Sequence, residues 1–273
     1  MNKMITASLV LYCNDPIIYG QAISSFLASA PNGVLWVSDN SPKPLQHELF
    51  SHPRVCYSFN DANLGFGKGH NRILPRLPAD SSVHLLLNPD VRFSAEVLPA
   101  LQKYVEESSD VAAVMPRINY ADGSLQRLCK LLPTPVDLIL RRFIPSRHIR
   151  DLINQRYELH SLSQEATCEV PTLSGCCLMV RTDLLRQLGG FDERYFMYME
   201  DVDLVRRLGD LGRTMYLPQV QVVHDYAKGS YGNRKLLGYH LRSALQYFGK
   251  WGWIFDATRR RRNRMMLASI QRD

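Results

Sequence analysis

Short apolar runs recur through the first 115 positions, separated by stretches in which apolar residues return every three or four places. ITASLVLY (5–12), VLWVSD (34–39), RVCYSF (54–59) and VHLLLN (83–88) have the length and β-branched or aromatic content of strands. Between them Ile18, Ala22 and Phe26, and later Val97, Leu101 and Val105, fall at helical spacing. Strand and helix in alternation predict a Rossmann-like α/β arrangement, a mostly parallel sheet flanked by helices on both faces. Ligands of such sheets collect beyond the carboxyl ends of the strands.

Those ends are polar. The second strand runs into Asp39, Asn40 and Ser41, and the third into a glycine-rich stretch, 60–71, that ends at His70 and Asn71. The fourth ends in Asn88, Pro89 and Asp90. Each alone reads as a turn, because Asp, Asn, Gly and Pro are turn formers. Their recurrence on one edge points to a binding site.

The pattern loosens after residue 116. A hairpin is expected around Ala121, Asp122 and Gly123, followed by a proline-marked, arginine-dotted stretch, so 117–168 reads as an excursion from the sheet that covers a cleft. VPTLSGCCLMV (170–180) then reads as a strand, and TDLLRQL as a short helix stopped by Gly189 and Gly190. Next come the aromatic and methionine residues 195–199 and the acidic cluster Glu200, Asp201 and Asp203. Leu204 and Leu208 predict a helix that begins near Glu200. Acidic side chains at a helix start complement its dipole. The apolar approach adds desolvation, which suits a general base beside a cleft. Asp90 is a candidate metal ligand, since Mg²⁺ and Mn²⁺ need few protein carboxylates when phosphates complete the shell. His224 ends a further strand and precedes a polar loop in which backbone and Lys228 are able to hold phosphate oxygens.

Composition narrows the classes. With 273 residues and 45% hydrophobic content, the chain is large and apolar enough to bury a core without disulfides or metal clips. Its six cysteines lack CxxC spacing and are expected to be reduced. No apolar stretch reaches the roughly 18 residues of a membrane span, and the opening run reads as a first strand rather than a signal, so the expected compartment is the cytoplasm. A net charge of +7 favours polyanionic partners.

In order and spacing these pieces resemble the family 2 glycosyltransferases, nucleotide-sugar enzymes of the GT-A fold, and within them the bacterial rhamnosyltransferase-like branch. The resemblance runs from the first strand to about residue 250. It rests on Asp39-Asn40-Ser41, residues 63–67 with Asn71, Asn88-Pro89-Asp90, Ser174 through Val180, Gly190 through Glu193, Tyr198 through Leu204, and His224. It implies that Asp39 contacts the nucleoside and that Asn71 and Arg72 line the same pocket. Asp90 would end the DxD motif and hold a Mg²⁺ or Mn²⁺ bridging the diphosphate, with Asn88 where many relatives carry the first Asp. His224 would be a further metal or diphosphate ligand and Asp201 the catalytic base, with Glu200 positioning the acceptor or orienting the helix start.

The expected reaction is inverting transfer from a nucleotide diphosphate sugar, with dTDP-rhamnose the leading donor, to a lipid-linked or growing cell-surface polysaccharide. The same fold using UDP-galactose or UDP-N-acetylglucosamine is the near alternative, and a non-catalytic nucleotide-sugar-binding scaffold the distant one. A nucleotidyltransferase is disfavoured because no glycine-rich loop follows the first strand. The glycosyltransferase domain is expected over 1–232. An aromatic helix and basic tail follow over 233–273. Leu237, Leu241, Leu245, Phe248 and Phe255, with Trp251 and Trp253 beside them, would pack this helix on the domain. Five arginines between 259 and 264 are expected to stay at the surface, against an anionic membrane at the inner face of the cell membrane rather than nucleic acid.

Overall fold

The computed structural model describes residues 4–140, 144–225 and 234–271. The four early strands form within two residues of their expected limits: β1 (Met4–Leu11), β2 (Val34–Asp39), β3 (Val55–Phe59) and β4 (Ser81–Leu87). Helix α1 (Pro16–Ser29) starts where Asp15 accepts the Ile17 N–H and Pro16 presets the first turn. It buries Tyr19, Ala22, Ile23 and Phe26, while Ile18 stays exposed. The other early helices are α2 (Phe66–Asn71) and α3 (Val97–Glu107). The latter buries Val97, Leu101 and Val105 on the face its spacing predicts.

Four further strands, β5 (Val91–Arg92), β6 (Val111–Asn119), β8 (Cys177–Arg181) and β9 (Arg213–His224), complete a sheet in the order β3-β2-β1-β4-β8-β6-β9-β5; β7 (Cys168–Glu169) lies along β9. β1 pairs in parallel with β2 and β4, and β6 with β9, but β8 runs antiparallel to both neighbours. The architecture is the expected α/β one.

The strand anticipated over 170–180 begins only at Cys177. Val170 and Leu173 are buried as their apolar character requires, yet the backbone before β8 turns to other partners. Thr172 O accepts from Lys130 N, and Gly175 N–H points at Asp201. The expected hairpin is a tight turn, with Tyr120 N donating to Ser124 O. Two short helices, α4 (Pro135–Leu138) and α5 (Arg147–Tyr157), fill part of the excursion. α6 (Thr182–Gln187) and α7 (Glu200–Leu208) lie where the spacing puts them.

The C-terminal region departs most from expectation. α8 (Arg234–Trp251) and α9 (Ala257–Ile270) dock on the domain, but the buried stripe of α8 is Ala244, Tyr247 and Phe248, while Leu245 and Phe255 are exposed. The arginine run is not wholly a surface feature. Arg259 is buried, and Arg262 donates to Arg206 O at 2.8 Å and to Asp210 at 2.7 Å. Arg260, Arg261 and Arg264 are the exposed ones. The run divides because one face of α9 lies against α7 and the other faces water. Among the described residues no helix is long and apolar enough to cross a membrane.

Candidate active site

Pairing in the sheet brings the distant candidates together. β5 and β9 are antiparallel with Val91 opposite His224, and Asp225 N donates to Asp90 O at 2.8 Å. This register sets His224 Nε2 3.1 Å from Asp90 Oδ1. Gln126 fixes the imidazole. Its Nε2 donates to His224 O at 2.7 Å and to Asn119 O at 3.4 Å, so its Oε1 accepts from His224 Nδ1 at 2.9 Å. In the neutral ring the Nε2 lone pair then faces a carboxylate oxygen. Two lone pairs at that separation require a proton or a cation between them.

A carboxylate–imidazole pair oriented in this way fits a divalent ion whose remaining ligands come from a diphosphate. The mixed oxygen and nitrogen donors suit Mn²⁺ better than Mg²⁺. Among the described residues no cluster of three or more His, Cys, Asp or Glu side chains is gathered as a metal site. Asn88 is half-buried, and its backbone N–H bonds Cys176 O at 2.8 Å.

Cys176 links this pair to the second centre. Burial pushes its thiol up to about 12, and the charges of Asp90 and Asp201 both add to the shift. Asp201 Oδ2 accepts from Gly175 N at 3.2 Å and Oδ1 from Val202 N at 2.8 Å. Gly175 permits this approach, since an added Cβ would lie 3.2 Å from Asp201 Cβ. Burial raises the Asp201 pKa above the ordinary carboxylate value, against the opposing pull of those two N–H groups and of the Lys130 charge. Asp201 is half-buried, which leaves it open to a substrate proton. Glu200 is buried, and its Oε2 finds no hydrogen-bond donor among the described residues. Desolvation first, and the Asp201 charge second, push its pKa well above normal, which favours the protonated form.

The start of α7 is strained. Tyr198 and Met199 both have φ of +68°, a left-handed conformation that costs a side-chain-bearing residue about 1–2 kcal/mol. The strain is held from both sides. Phe66 N donates to Phe196 O, and Gly65, at φ +82°, lies so close that an added Cβ would sit 2.1 Å from the same oxygen. On the other side the fully buried Asp203 receives Arg207 at 2.8 Å, Lys250 at 2.6 Å and Trp251 Nε1 at 2.8 Å. Lys250 also reaches Asp192 at 2.8 Å. One turn along, Arg206 forms a bidentate pair with Asp256 at 2.7 and 2.8 Å. The third carboxylate of the acidic cluster is therefore structural.

The remaining candidates are already engaged or exposed. Asp39 is fully buried and accepts from Ser41 N, Leu45 N and the Tyr57 hydroxyl at 2.9, 2.9 and 2.6 Å, shaping the 41–45 loop. Asn71 clamps Phe191, accepting its N–H and donating to its carbonyl, both at 2.8 Å, while Arg72 is exposed. α2 is tied to the sheet by a buried chain in which Ser8 Oγ lies 2.6 Å from His70 and 2.7 Å from His84. Burial lowers both imidazoles to about 3, so they remain neutral. Lys228 lies outside the described residues. A groove of about 820 Å³ runs between α1, the 47–49 turn and β5 and takes in neither Asp90 nor Asp201.

Gln126, Lys130 and Gly175 escaped sequence reasoning. The first two lie in the loosely patterned 117–168 stretch, and only the resemblance drew attention to the segment holding the third.

Solved glycosyltransferases share this architecture. The crystal structure of GalNAc-T7 with UDP, GalNAc and Mn2+ matches with a TM-score of 0.61 at 11% identity, over 92% of this chain and 50% of that one. The mannosyltransferase PcManGT from Pyrobaculum calidifontis, in complex with GDP-Man and Mn2+, matches at 0.56 and 15%, over 90% and 63%. The chain thus spans about half the length of the first and under two thirds of the second. The fold is GT-A. No protein-family model matches the chain. N-acetylglucosaminyl-diphospho-decaprenol L-rhamnosyltransferase of Mycobacterium tuberculosis is 32% identical over 243 residues, 83% of this chain and 78% of the relative. Rhamnosyltransferase WbbL of Escherichia coli K12 is 27% identical over 225 residues, 78% of this chain and 81% of the relative. The chain belongs to the family 2, rhamnosyltransferase-like glycosyltransferases.

Proposed function

We propose that the protein transfers L-rhamnose from dTDP-rhamnose to a lipid-linked saccharide, with inversion at the anomeric carbon. The observation that carries this reading is the half-buried Asp201, held by two backbone N–H groups beside the Asp90–His224 pair. The names of the two rhamnosyltransferase relatives support the sugar, and the decaprenol diphosphate in the first supports the acceptor class.

Asp201 takes the proton of the acceptor hydroxyl as its oxygen attacks the anomeric carbon from the face opposite the leaving diphosphate. Desolvation makes it a stronger base than a carboxylate in water. Glu200, whose protonated form is favoured by burial, donates a hydrogen bond that orients the acceptor. Asp90 and His224 hold a divalent ion, which when bound supplies the positive charge that stabilises the departing nucleoside diphosphate. Asp39 shapes the nucleoside end of the cleft, with Asn71 and Arg72 along its wall and Asn88 toward the phosphates. The enzyme works at the inner face of the cell membrane, in peripheral contact with it.

A panel of nucleotide sugars, with and without Mn²⁺, tests the reading through thermal stabilisation. dTDP-rhamnose should stabilise the protein most, and only with metal. Preference for a UDP-sugar would change the donor. Stabilisation by a nucleotide sugar without any turnover would favour the non-catalytic scaffold, and indifference to every nucleotide sugar would overturn both.

A further inference from the structure

Beyond the ion network that anchors α7, the chain raises an apolar knuckle into water. α8 ends at Trp251, and Gly252 turns the chain with φ +94°, where an added Cβ would lie 2.9 Å from Phe255 O. Trp253, Ile254 and Phe255 follow, 43%, 67% and 84% exposed, before Asp256 caps α9 by accepting the Arg259 N–H. The turn is held from beneath. The guanidinium of buried Arg259 donates to the carbonyls of Gly252, Trp253 and Ile254 at 3.3, 3.1 and 3.3 Å, and to that of Pro133 at 3.3 Å. Asp256 is pinned by Arg206.

Folding alone gives no reason for this arrangement. Exposed isoleucine and phenylalanine side chains gain nothing from water, and a buried cation is spent on holding their backbone in place. The rim is cationic. Arg260 lies 5.6 Å from the Phe255 ring centroid, Arg261 and Arg264 are exposed nearby, and Met265 is exposed beside them. α9 contains no acidic residue. Nucleic acid would call for flat aromatic faces on which bases stack, whereas the centre of this projection is the aliphatic Ile254.

We propose that the knuckle is a membrane-insertion element. Ile254 and Phe255, with Trp253 at the rim, enter the interfacial zone of a bilayer, and Arg260, Arg261 and Arg264 bind the phosphates of its anionic headgroups. Trp251 has no part in insertion, because its indole packs on Arg206 and donates to Asp203. This deepens the peripheral-membrane reading given above and rests on it for the lipid-linked acceptor. Binding to vesicles does not depend on that acceptor. The knuckle joins rigidly to α7 through Arg206 and Asp256, so insertion fixes the orientation of Asp201 relative to the bilayer plane.

Cosedimentation of the full chain with vesicles of phosphatidylcholine, alone or mixed with phosphatidylglycerol, tests the proposal. The protein should bind the mixed vesicles, weaken as salt rises, and shift its tryptophan emission to the blue, a shift that Trp253→Phe removes. Ile254→Ser with Phe255→Ser should weaken binding at least about tenfold, and each of Arg260→Gln, Arg261→Gln and Arg264→Gln about fivefold. Ile254, Phe255, Arg261 and Arg264 face solvent, so circular dichroism and the urea midpoint should stay unchanged in the variants that replace them. Equal vesicle binding by the double serine variant, no binding by the wild type, or binding to RNA in preference to vesicles would overturn the proposal. Metal-dependent stabilisation by nucleotide sugars, read on the same variants, reports the transfer reading separately, so either failure is recognisable without the other.

Discussion

Neutralising Asp256 with Asn should unfold much of the C-terminal anchorage. The substitution keeps the shape of the side chain and an oxygen for the Arg259 N–H, so the cap on α9 survives. It removes the charge that faces Arg206. That guanidinium is 2% exposed, and its other neighbours are the Tyr247 hydroxyl at 3.2 Å and the Trp251 ring, whose centroid lies 4.0 Å away. A buried cation left without its anion costs about 3–5 kcal/mol. In a protein whose whole stability is about 5–15 kcal/mol, this should lower the melting temperature by roughly 10 °C. Pairing Asp256→Asn with Arg206→Met removes both charges and should recover more than half of the loss. Urea unfolding of the wild type, the two single variants and the double variant measures the coupling. A loss below about 1 kcal/mol for Asp256→Asn, the value of a surface pair, would refute the argument that this contact is desolvated and that α8 and α9 are integral to the domain.

Asp201→Asn should cut the rate of transfer about 10²–10⁴-fold while donor binding persists. In the wild type, kcat/KM should fall with acid around a midpoint above the usual aspartate value, because the base works only when unprotonated and burial raises its pKa; an acid limb near pH ~4 would contradict this. Glu200→Gln should stabilise the protein at neutral pH, measured by the urea midpoint. The native carboxyl has its pKa raised, so wild-type stability declines as pH rises above the unfolded value, and the gap between variant and wild type should close toward pH ~4.3. Gln126→Leu frees the His224 ring and should raise the Mn²⁺ concentration for half-maximal transfer about 10–100-fold, with the rate recovering at saturation; an unchanged metal requirement would remove the metal role from the pair.

The parts of this fold written in local patterns were readable. Strands β1 to β4 repeat a hydrophobic signal that few other structures satisfy, and the Leu204–Leu208 spacing located α7. The pairing of Asp90 with His224 was readable only through family resemblance, since the contact is made by an antiparallel register between residues far apart in the chain. Asn71 illustrates the limit. Its type and position suit a pocket wall, yet both ends of its amide are engaged by the Phe191 backbone, a fact carried by the glycine turn at 189–190. The arginine run misled for a different reason. Composition treats the five guanidinium groups alike, whereas helical phase turns Arg259 and Arg262 inward and the others out.

Lys250, which reaches both Asp192 and Asp203, closes a loop between the segment before α7, α7 itself and the end of α8. Segments clasped by one half-buried cation cannot open singly without stranding the buried Asp203 charge. The amides of α7 should therefore exchange with solvent at the same free energy as those at the end of α8, as one cooperative unit, while α5, with a single buried residue, exchanges far sooner. The helix that carries the proposed base is then among the last parts of the molecule to let go, although Tyr198 and Met199, which lead into it, are held in the left-handed conformation.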